Sequence, residues 1–475
     1  MRVLLINPPA ENEILSCNPE IIKEERGFDP PLGLLYLAGY LKKYSDYEVK
    51  ILDCQVERLN YKELKEEIKK FDPDIIGITA MTLTLIDVMK TIRVTKEVCP
   101  DTRVVLGGPH AHIYPEETVR LKDIDFVVLG EGEETFFHLL KNINNIEALK
   151  QIAGLVFKDK EGIINTGPRP FYGSLDEIPF PPREMLPYKK YFSLLAKKTP
   201  ITTMFTSRGC PYKCLFCDRP QLGKNFRGRS AKNVVDEMEI CEKMGIKEIF
   251  IYDDTFGVDR QRVLDICKEY QKRGLTVIWD IRTRVNTVDE EVLKALKKSN
   301  CQRIHYGVEA GTEKILKVLR KGITLEMAEN AFKLTKKLGI QTFAYFMIGS
   351  PTETKEDILE TIRIMKKLDP DFVQITITTP FPATDLYRMA LAQGVIKYDY
   401  WKEFAQNPQP GFKTRYWTKE LSENELEELL AYAYKQFYLR PPYILKRVLK
   451  IRSLPELLRK VKAGINVIKM KKNAI

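Results

Sequence analysis

Histidine is scarce in this chain. Its 475 residues hold four, His110, His112, His138 and His305. Long apolar runs are missing altogether: none reaches the roughly 18 residues a membrane span needs. The opening Met1-Arg2-Val3-Leu4-Leu5-Ile6-Asn7 reads as a strand closed by two prolines, not as a leader peptide. Nine cysteines, three clustered and six scattered, do not make a disulfide framework and suit a reducing cytoplasm. Acid is missing from the end. From Arg440 onward eleven Lys/Arg face the single Glu456, which accounts for nearly all of the +11 net charge. The body is close to neutral, so no nucleic-acid-coating surface is expected. A hydrophobic content of 44% is ample for the cores of two or three domains.

The present residues that matter most are Cys210, Cys214 and Cys217, at C-x3-C-x2-C spacing just after an apolar strand pattern at 201–205. A loop of this kind can wrap three thiolates around one iron–sulfur cube. A cubane has four irons, so one is left without a protein ligand and open to a small molecule. The alternatives are a zinc knuckle or core thiols. Zinc asks for a fourth ligand nearby, and no histidine is close to the loop in sequence.

Around this loop the chain alternates strands and helices. In residues 1–145, strand patterns at 3–6, 49–52, 75–79, 104–106 and 126–128 are separated by helical patterns at 32–44, 61–71 and 85–98, with 133–141 after the last. Short continuous apolar strands between helices predict a parallel sheet covered on both faces, with ligands at the strand carboxyl ends. Those ends carry Asn7-Pro8-Pro9, Thr79-Ala80-Met81-Thr82, Gly107-Gly108-Pro109-His110 and Gly130-Glu131-Gly132-Glu133. Paired glycines there would let a bulky flat ligand approach the backbone. Residues 146–198 read as a connector, a hairpin followed by a proline-rich segment over the surface. Residues 199–400 repeat the strand–helix unit six times, with strands near 201–206, 247–252, 275–281, 302–308, 342–348 and 371–377. Six such units make a partial barrel whose catalytic residues sit at the strand carboxyl ends. Residues 401–475 read as a helical, basic C-terminal region. The fold class expected is thus α/β: a doubly wound, Rossmann-like parallel sheet, then a partial (β/α)6 TIM-type barrel, then helices.

The cysteine spacing, with the aromatic Phe216 before the third cysteine, resembles the radical S-adenosylmethionine (SAM) superfamily. The domain in front resembles the cobalamin-binding domain found upstream of many radical SAM barrels, including class B methyltransferases and the anaerobic magnesium-protoporphyrin ester cyclases. The resemblance implies three cofactors: a 4Fe–4S cluster on Cys210, Cys214 and Cys217, SAM, and cobalamin. It implies SAM contacts from Phe216, from Asp253 and Asp254 toward the ammonium, from Glu309 toward the ribose, and from the Gly349 backbone toward adenine. Arg282 would meet the SAM carboxylate or pair with Asp280. For cobalamin it implies Pro8, Thr79, Met81, Thr82, Gly107, Gly108, Gly130 and Glu131. The family's cobalt-ligating D-x-H-x-x-G motif is missing, since Asn7-Pro8-Pro9-Ala10-Glu11 follows the first strand. His110 and His112 read as turn residues rather than cobalt ligands. Tyr345, Phe346, Phe381 and Tyr387 read as packing, and Cys241, Cys267 and Cys301 as buried small hydrophobes.

The activity implied is SAM cleavage to a 5'-deoxyadenosyl radical, for methyl transfer to an unactivated carbon. Radical ring formation on a tetrapyrrole-like or lipid substrate is the nearest alternative. A methylthiotransferase would need Cys17, Cys54 and Cys99 for a second cluster, and a non-catalytic cobalamin sensor would leave the barrel inert. No catalytic residue beyond the cofactor ligands is assigned. The expected partners are a small or lipid-like substrate and a ferredoxin or flavodoxin as reductant, with no nucleic acid. In the tail, Ile444, Leu445, Val448, Leu449 and Ile451 share a helical face opposite Lys446, Arg447, Lys450 and Arg452. Such helices fit peripheral contact with the inner membrane face.

Overall fold

The computed structural model describes residues 1–14, 27–218 and 222–449, together with 464–465 and 467–468. Cys17 and most of the basic tail lie outside the described residues.

The first sheet has seven strands: β1 (Arg2–Asn7), β2 (Glu48–Asp53), β3 (Ile75–Thr79), β4 (Arg103–Gly107), β5 (Phe126–Val128), β6 (Leu155–Asp159) and β7 (Gly162–Asn165), in the order β2-β1-β3-β4-β5-β6-β7. The first five are parallel, and the β6–β7 hairpin joins them antiparallel. The boundary expected at 145 therefore falls inside a sheet. Val156 and Phe157 are buried against it, so the hairpin belongs to the first unit. Four helices cover the sheet, α1 (Leu32–Tyr44), α2 (Tyr61–Phe71), α3 (Leu85–Val98) and α4 (Gly132–Lys141). Helix α2 opens on a capping box in which Asn60 accepts from the Lys62 and Glu63 amides.

The connector departs from expectation. Pro181, Pro182 and Arg183 are buried rather than surface-running. The Arg183 guanidinium explains it. It donates to Thr202 Oγ1 (2.9 Å), the Thr203 carbonyl (2.8 Å) and Glu237 (2.6 Å), so a buried ion pair pins the connector to the barrel.

The second sheet is β8 (Ile201–Met204), β9 (Glu248–Ile251), β10 (Ile278–Thr283), β11 (Cys301–Glu309), β12 (Gln341–Ile348) and β13 (Phe372–Ile377), all parallel and in sequential order. This is the partial barrel expected, with α5 (Ala231–Lys243), α6 (Arg260–Lys272), α7 (Glu290–Lys298), α8 (Leu325–Lys337) and α9 (Lys355–Leu368) outside it. Cys241, Cys267 and Cys301 are fully buried in its core, as expected.

An incomplete barrel has an edge strand whose N–H and C=O groups must be met. Here α10 (Glu423–Tyr438) meets them with tyrosines. Tyr434 accepts from the Ile375 amide (3.1 Å) and donates to the Ile375 carbonyl (3.0 Å). Tyr438 does the same at Val373 (3.1 and 2.9 Å). The i, i+4 spacing sets the two hydroxyls along β13 two residues apart.

Helix α11 (Pro441–Val448) follows with its faces reversed from those of a solvated cap. Lys446 pairs with Asp369 and Arg447 with Asp371, at the amino end of β13. Leu445 and Leu449 point outward, 61% and 77% exposed. No helix among the described residues is long and apolar enough to cross a membrane.

Candidate functional site

The cysteine loop leaves the barrel at the carboxyl end of β8. Its neck is a short antiparallel ladder in which Ser207 faces Gly228 and Arg208 faces Arg227. Gly209 closes the neck with φ +81°, and a Cβ there would stand 2.3 Å from the Asn225 carbonyl oxygen. Only glycine fits. Leu215, between the second and third cysteines, is fully buried and anchors the loop. Its amide donates to the Leu319 carbonyl, and its carbonyl accepts from Leu386, both at 2.9 Å.

None of the three cysteines is in a disulfide. Cys210 lies 3.5 Å from Thr255 Oγ1, and Cys214 accepts from Arg284 Nη1 at 3.5 Å. The Arg284 guanidinium is stacked 3.8 Å from the Tyr212 ring, inside the loop. The stack holds a positive charge beside the Cys214 sulfur. Among the described residues no three His, Cys, Asp or Glu side chains converge on one point at metal-binding distance. The loop thus offers its donors along one short arc without having drawn them together. Three thiols outside any disulfide, with a cation beside one of them, fit a cubane with one iron open to SAM.

Asp253, expected at SAM from its place after β9, is turned to the neck of the cysteine loop. Its carboxylate, 1% exposed, accepts from the Thr206 amide (2.6 Å), Thr206 Oγ1 (2.5 Å) and Ser207 Oγ (2.6 Å). Every strong acceptor position is committed to the neck of the cysteine loop. Its neighbour Asp254 is the exposed member of the pair.

Glu131, expected at cobalamin, is also committed elsewhere. It accepts from Arg208 Nη1 and Arg227 Nη1, each at 2.9 Å, and from the Tyr172 amide at 3.1 Å. Glu133 holds the other Arg208 nitrogen at 2.5 Å. Burial pushes the Glu131 carboxyl up, but its bonds to Arg227 and Arg208 outweigh this and hold it below the usual carboxylate range.

Inside the barrel, Arg282 does not pair with Asp280. It lies over the Tyr252 ring, 3.6 Å from the centroid, and remains half-exposed. Asp280 is taken by Arg303 (3.1 Å) and His305 Nε2 (3.2 Å). His305 Nδ1 in turn meets the Tyr345 hydroxyl at 3.0 Å, so Tyr345 is more than packing. Burial pushes the His305 imidazolium toward losing its proton, and with Nε2 facing the Asp280 carboxylate the neutral ring leaves Nδ1 to accept from the Tyr345 hydroxyl.

Glu309 ends β11 with φ +76°, in the left-handed region that a side chain other than glycine rarely adopts. Its carboxylate is met by Lys321 Nζ at 2.7 Å, and that ammonium stands 5.9 Å from the Phe216 ring. The carboxylate expected to meet the ribose is already held by a lysine. Gly307 makes the pair fit: a Cβ there would be 2.4 Å from Glu309 Oε1.

At Gly349 (φ +75°) the space beyond the missing side chain is filled by Leu426, 2.6 Å from a built Cβ. The glycine serves the turn and the seating of α10, not the approach of a flat base to that face. Beside it Glu353 accepts from the Ser350 amide at 2.8 Å while its other oxygen is buried without a partner. Burial raises its carboxyl from the usual 4.5 to about 8. The folded chain then holds a proton across that window that the unfolded chain has lost. Stability is greatest below it and declines as pH rises through it. Glu353→Gln should melt a few degrees above the parent at about pH 8.5, with the gap closing toward pH 5, as thermal unfolding against pH would show.

On the first sheet, Gly108 (φ +96°) is needed because Ala80 packs against it. A Cβ would be 2.9 Å from the Ala80 carbonyl oxygen. The two loops are zipped by Ala80 N to Gly107 O (2.8 Å) and His110 N to Ala80 O (3.0 Å). Gly107 itself is open, with nothing closer to a built Cβ than 3.9 Å, and Met81 is half-exposed beside it. Pro8 is buried, its carbonyl held by Gln55 Nε2 at 3.2 Å. His110 is fully buried on a short helix, Pro109–Ile113, bonded to Thr82 Oγ1 at 3.0 Å, and burial pushes its pKa down to about 4. It is neutral and closed off from a ligand. The carboxyl edge at Met81 and Gly107 is open enough to take a flat ring system. Cys54 and Cys99 are buried in this unit's core, and burial raises both thiols.

Comparison with known proteins agrees with this geometry. The B12 binding domain family matches residues 21–140, and the Radical SAM superfamily matches 204–365. A Pyrococcus horikoshii protein described as an uncharacterized methyltransferase is 39% identical over 451 residues, covering 94% of this chain and 95% of that one. The chain belongs to the cobalamin-binding radical SAM family. Within that family the anaerobic magnesium-protoporphyrin IX monomethyl ester cyclase of Rubrivivax gelatinosus is 32% identical over 410 residues, covering 85% of this chain and 72% of the cyclase. A solved structure of the cobalamin-dependent radical SAM enzyme OxsB, with aqua-cobalamin and SAM bound, shares the fold at a TM-score of 0.74. It is 18% identical and covers 98% of this chain and 72% of that one. The cofactor set of this radical SAM enzyme is accordingly cobalamin, SAM and a 4Fe–4S cluster.

Four residues of the site escape sequence reading: Arg208, Lys321, Arg284 and His305. Each acts through a partner more than ten residues away. The one local signal was Arg208, two residues before the first cysteine.

Proposed function

We propose that this radical SAM enzyme transfers a methyl group to an unactivated carbon of a small organic substrate. The observation that carries the reading is the meeting of two strand-end surfaces. The cysteine loop leaves the carboxyl end of β8, and its neck is held by residues at the carboxyl end of β5. When bound, the cluster supplies the electron that splits SAM to methionine and a 5'-deoxyadenosyl radical, and cobalamin supplies the methyl carrier. The chain's part is to bind and orient. Asp254 and Arg282 are placed to receive the SAM ammonium and carboxylate. Glu309, with its Lys321 partner, is directed to the ribose hydroxyls. Arg284 sets a cation beside the Cys214 sulfur. Methylation is favoured over ring formation because the methyltransferase-described relative aligns over nearly the whole chain at the higher identity.

Anaerobic reconstitution tests the reading directly. About four irons per chain, a cobalamin absorbance spectrum and dithionite-dependent 5'-deoxyadenosine are expected. About eight irons would replace it with a methylthiotransferase, and none with a sensor. A ferredoxin or flavodoxin is the fitting reductant.

The outward apolar face of α11, next to a tail rich in Lys/Arg, supports docking on an anionic lipid surface from the cytoplasmic side. Co-sedimentation with phosphatidylglycerol vesicles, weakened by salt and lost in the double variant Leu445→Glu/Leu449→Glu, is the expected result. Equal binding by parent and variant would reject it.

A further inference from the structure

We infer that Glu131 is a positioning residue for the iron–sulfur loop, and that through it the cobalamin-binding unit and the cluster-binding loop act as one coupled element. The inference rests on the two-cofactor reading above.

Glu131 sits on the turn after β5, on the same carboxyl edge as Gly107 and Met81, where a parallel sheet of this kind takes its ligand. Its carboxylate leaves that edge and grips both strands of the cysteine-loop neck: Arg208 Nη1 on the outgoing strand and Arg227 Nη1 on the returning one, each at 2.9 Å. Glu133 holds the second nitrogen of Arg208. The guanidinium of Arg208 is closed over by the Tyr36 ring at 5.2 Å, from α1 of the same unit. All three charged groups of the Arg208 pairings are nearly buried, at 8%, 3% and 5% exposure. A buried, hydrogen-bonded pair of this kind is rigid, because neither member can leave without stranding the other's charge. Cys210 lies two residues beyond Arg208, so a shift of the β5 turn is passed to the first cluster ligand through one side chain. From the barrel side Asp253 holds Thr206 and Ser207. The neck is therefore clasped by both units at once.

A ligand that settles on the β5 edge changes the free energy of the turn that carries Glu131. A cluster that draws Cys210 inward changes the free energy of the neck that Glu131 holds. Coupling of this sort is reciprocal: each cofactor alters the affinity of the other by the same factor.

The test uses the full chain under anaerobic conditions. Hydroxocobalamin is titrated by visible absorbance into cluster-free and cluster-loaded protein, for the parent, Glu131→Gln and Glu133→Gln. The parent should show a several-fold difference in cobalamin Kd between the two states. Glu131→Gln, which keeps the shape but loses the charge that serves both arginines, should bring the ratio close to one. Glu133→Gln, which touches only one nitrogen of Arg208, should leave most of it. Circular dichroism reports folding, and if Glu131→Gln fails to fold, Arg208→Lys carries the same comparison. A parent ratio of one, or a ratio unchanged in Glu131→Gln, overturns the coupling while leaving the two-cofactor reading intact. Failure of the parent to take up either cofactor would instead remove the reading beneath it.

Discussion

Cys214→Ala should abolish reductive cleavage of SAM, with no 5'-deoxyadenosine above background after dithionite, while the protein still takes up cobalamin. The loop supplies three thiols, so losing one leaves two of them for a four-iron cube. The substitution costs little in folding. Cys214 is only half-buried, and its one strong contact is the Arg284 guanidinium, which remains stacked on Tyr212. One face of the first sheet packs Leu4, Ile6, Ile76, Ile92 and Leu106 into a core that includes no residue of the cysteine loop. Cobalamin uptake therefore persists, at the affinity of the cluster-free parent. Iron analysis, product chromatography and visible absorbance on one preparation check all three parts. Loss of cobalamin uptake as well would mean that the first unit does not stand without the cluster.

Asp253→Ala is the second large effect, and it separates two roles for one residue. The carboxylate accepts three short bonds from Thr206 and Ser207 in a buried setting. Removing it strands an amide and two hydroxyls, which costs about 1–3 kcal/mol for each group left unpaired and ~3–5 kcal/mol together. The neck would loosen and the cluster would be retained poorly, at well under about four irons per chain. A residue that only bound the SAM ammonium would leave iron content unchanged and weaken SAM binding alone. Iron per chain and chemical denaturation, measured side by side, tell these apart. Asp254→Ala is the useful contrast, since that side chain is exposed and its loss should spare the iron.

Much of the architecture was legible because it is written locally. Apolar strands, amphipathic helices and their caps are short-range patterns, and the bounds expected for β3, β5, α1, α2 and α3 coincide with those observed. The cysteine loop was legible for the same reason: three ligands lie within eight residues. What the sequence could not show is which polar side chains are already spoken for. Asp253 and Asp254 are neighbours of one chemical type, yet one is buried against the loop neck and the other lies at the surface. Gly107 and Gly108 look alike, yet only Gly108 is pressed by Ala80. Glu131 reads as a ligand on a glycine turn until Arg208, 77 residues later, arrives to claim it.

By itself, then, the chain's order of residues determined two parallel sheets, a thiol loop on the second, and the chemistry such a loop supports. Hydrophobic period and ligand spacing are properties of neighbours, and neighbours are what a sequence records. Only the tertiary structure decided the duties of the charged groups. A buried charge takes whichever opposite charge the packing brings within about 3 Å, and that partner is set by how the two units close on each other.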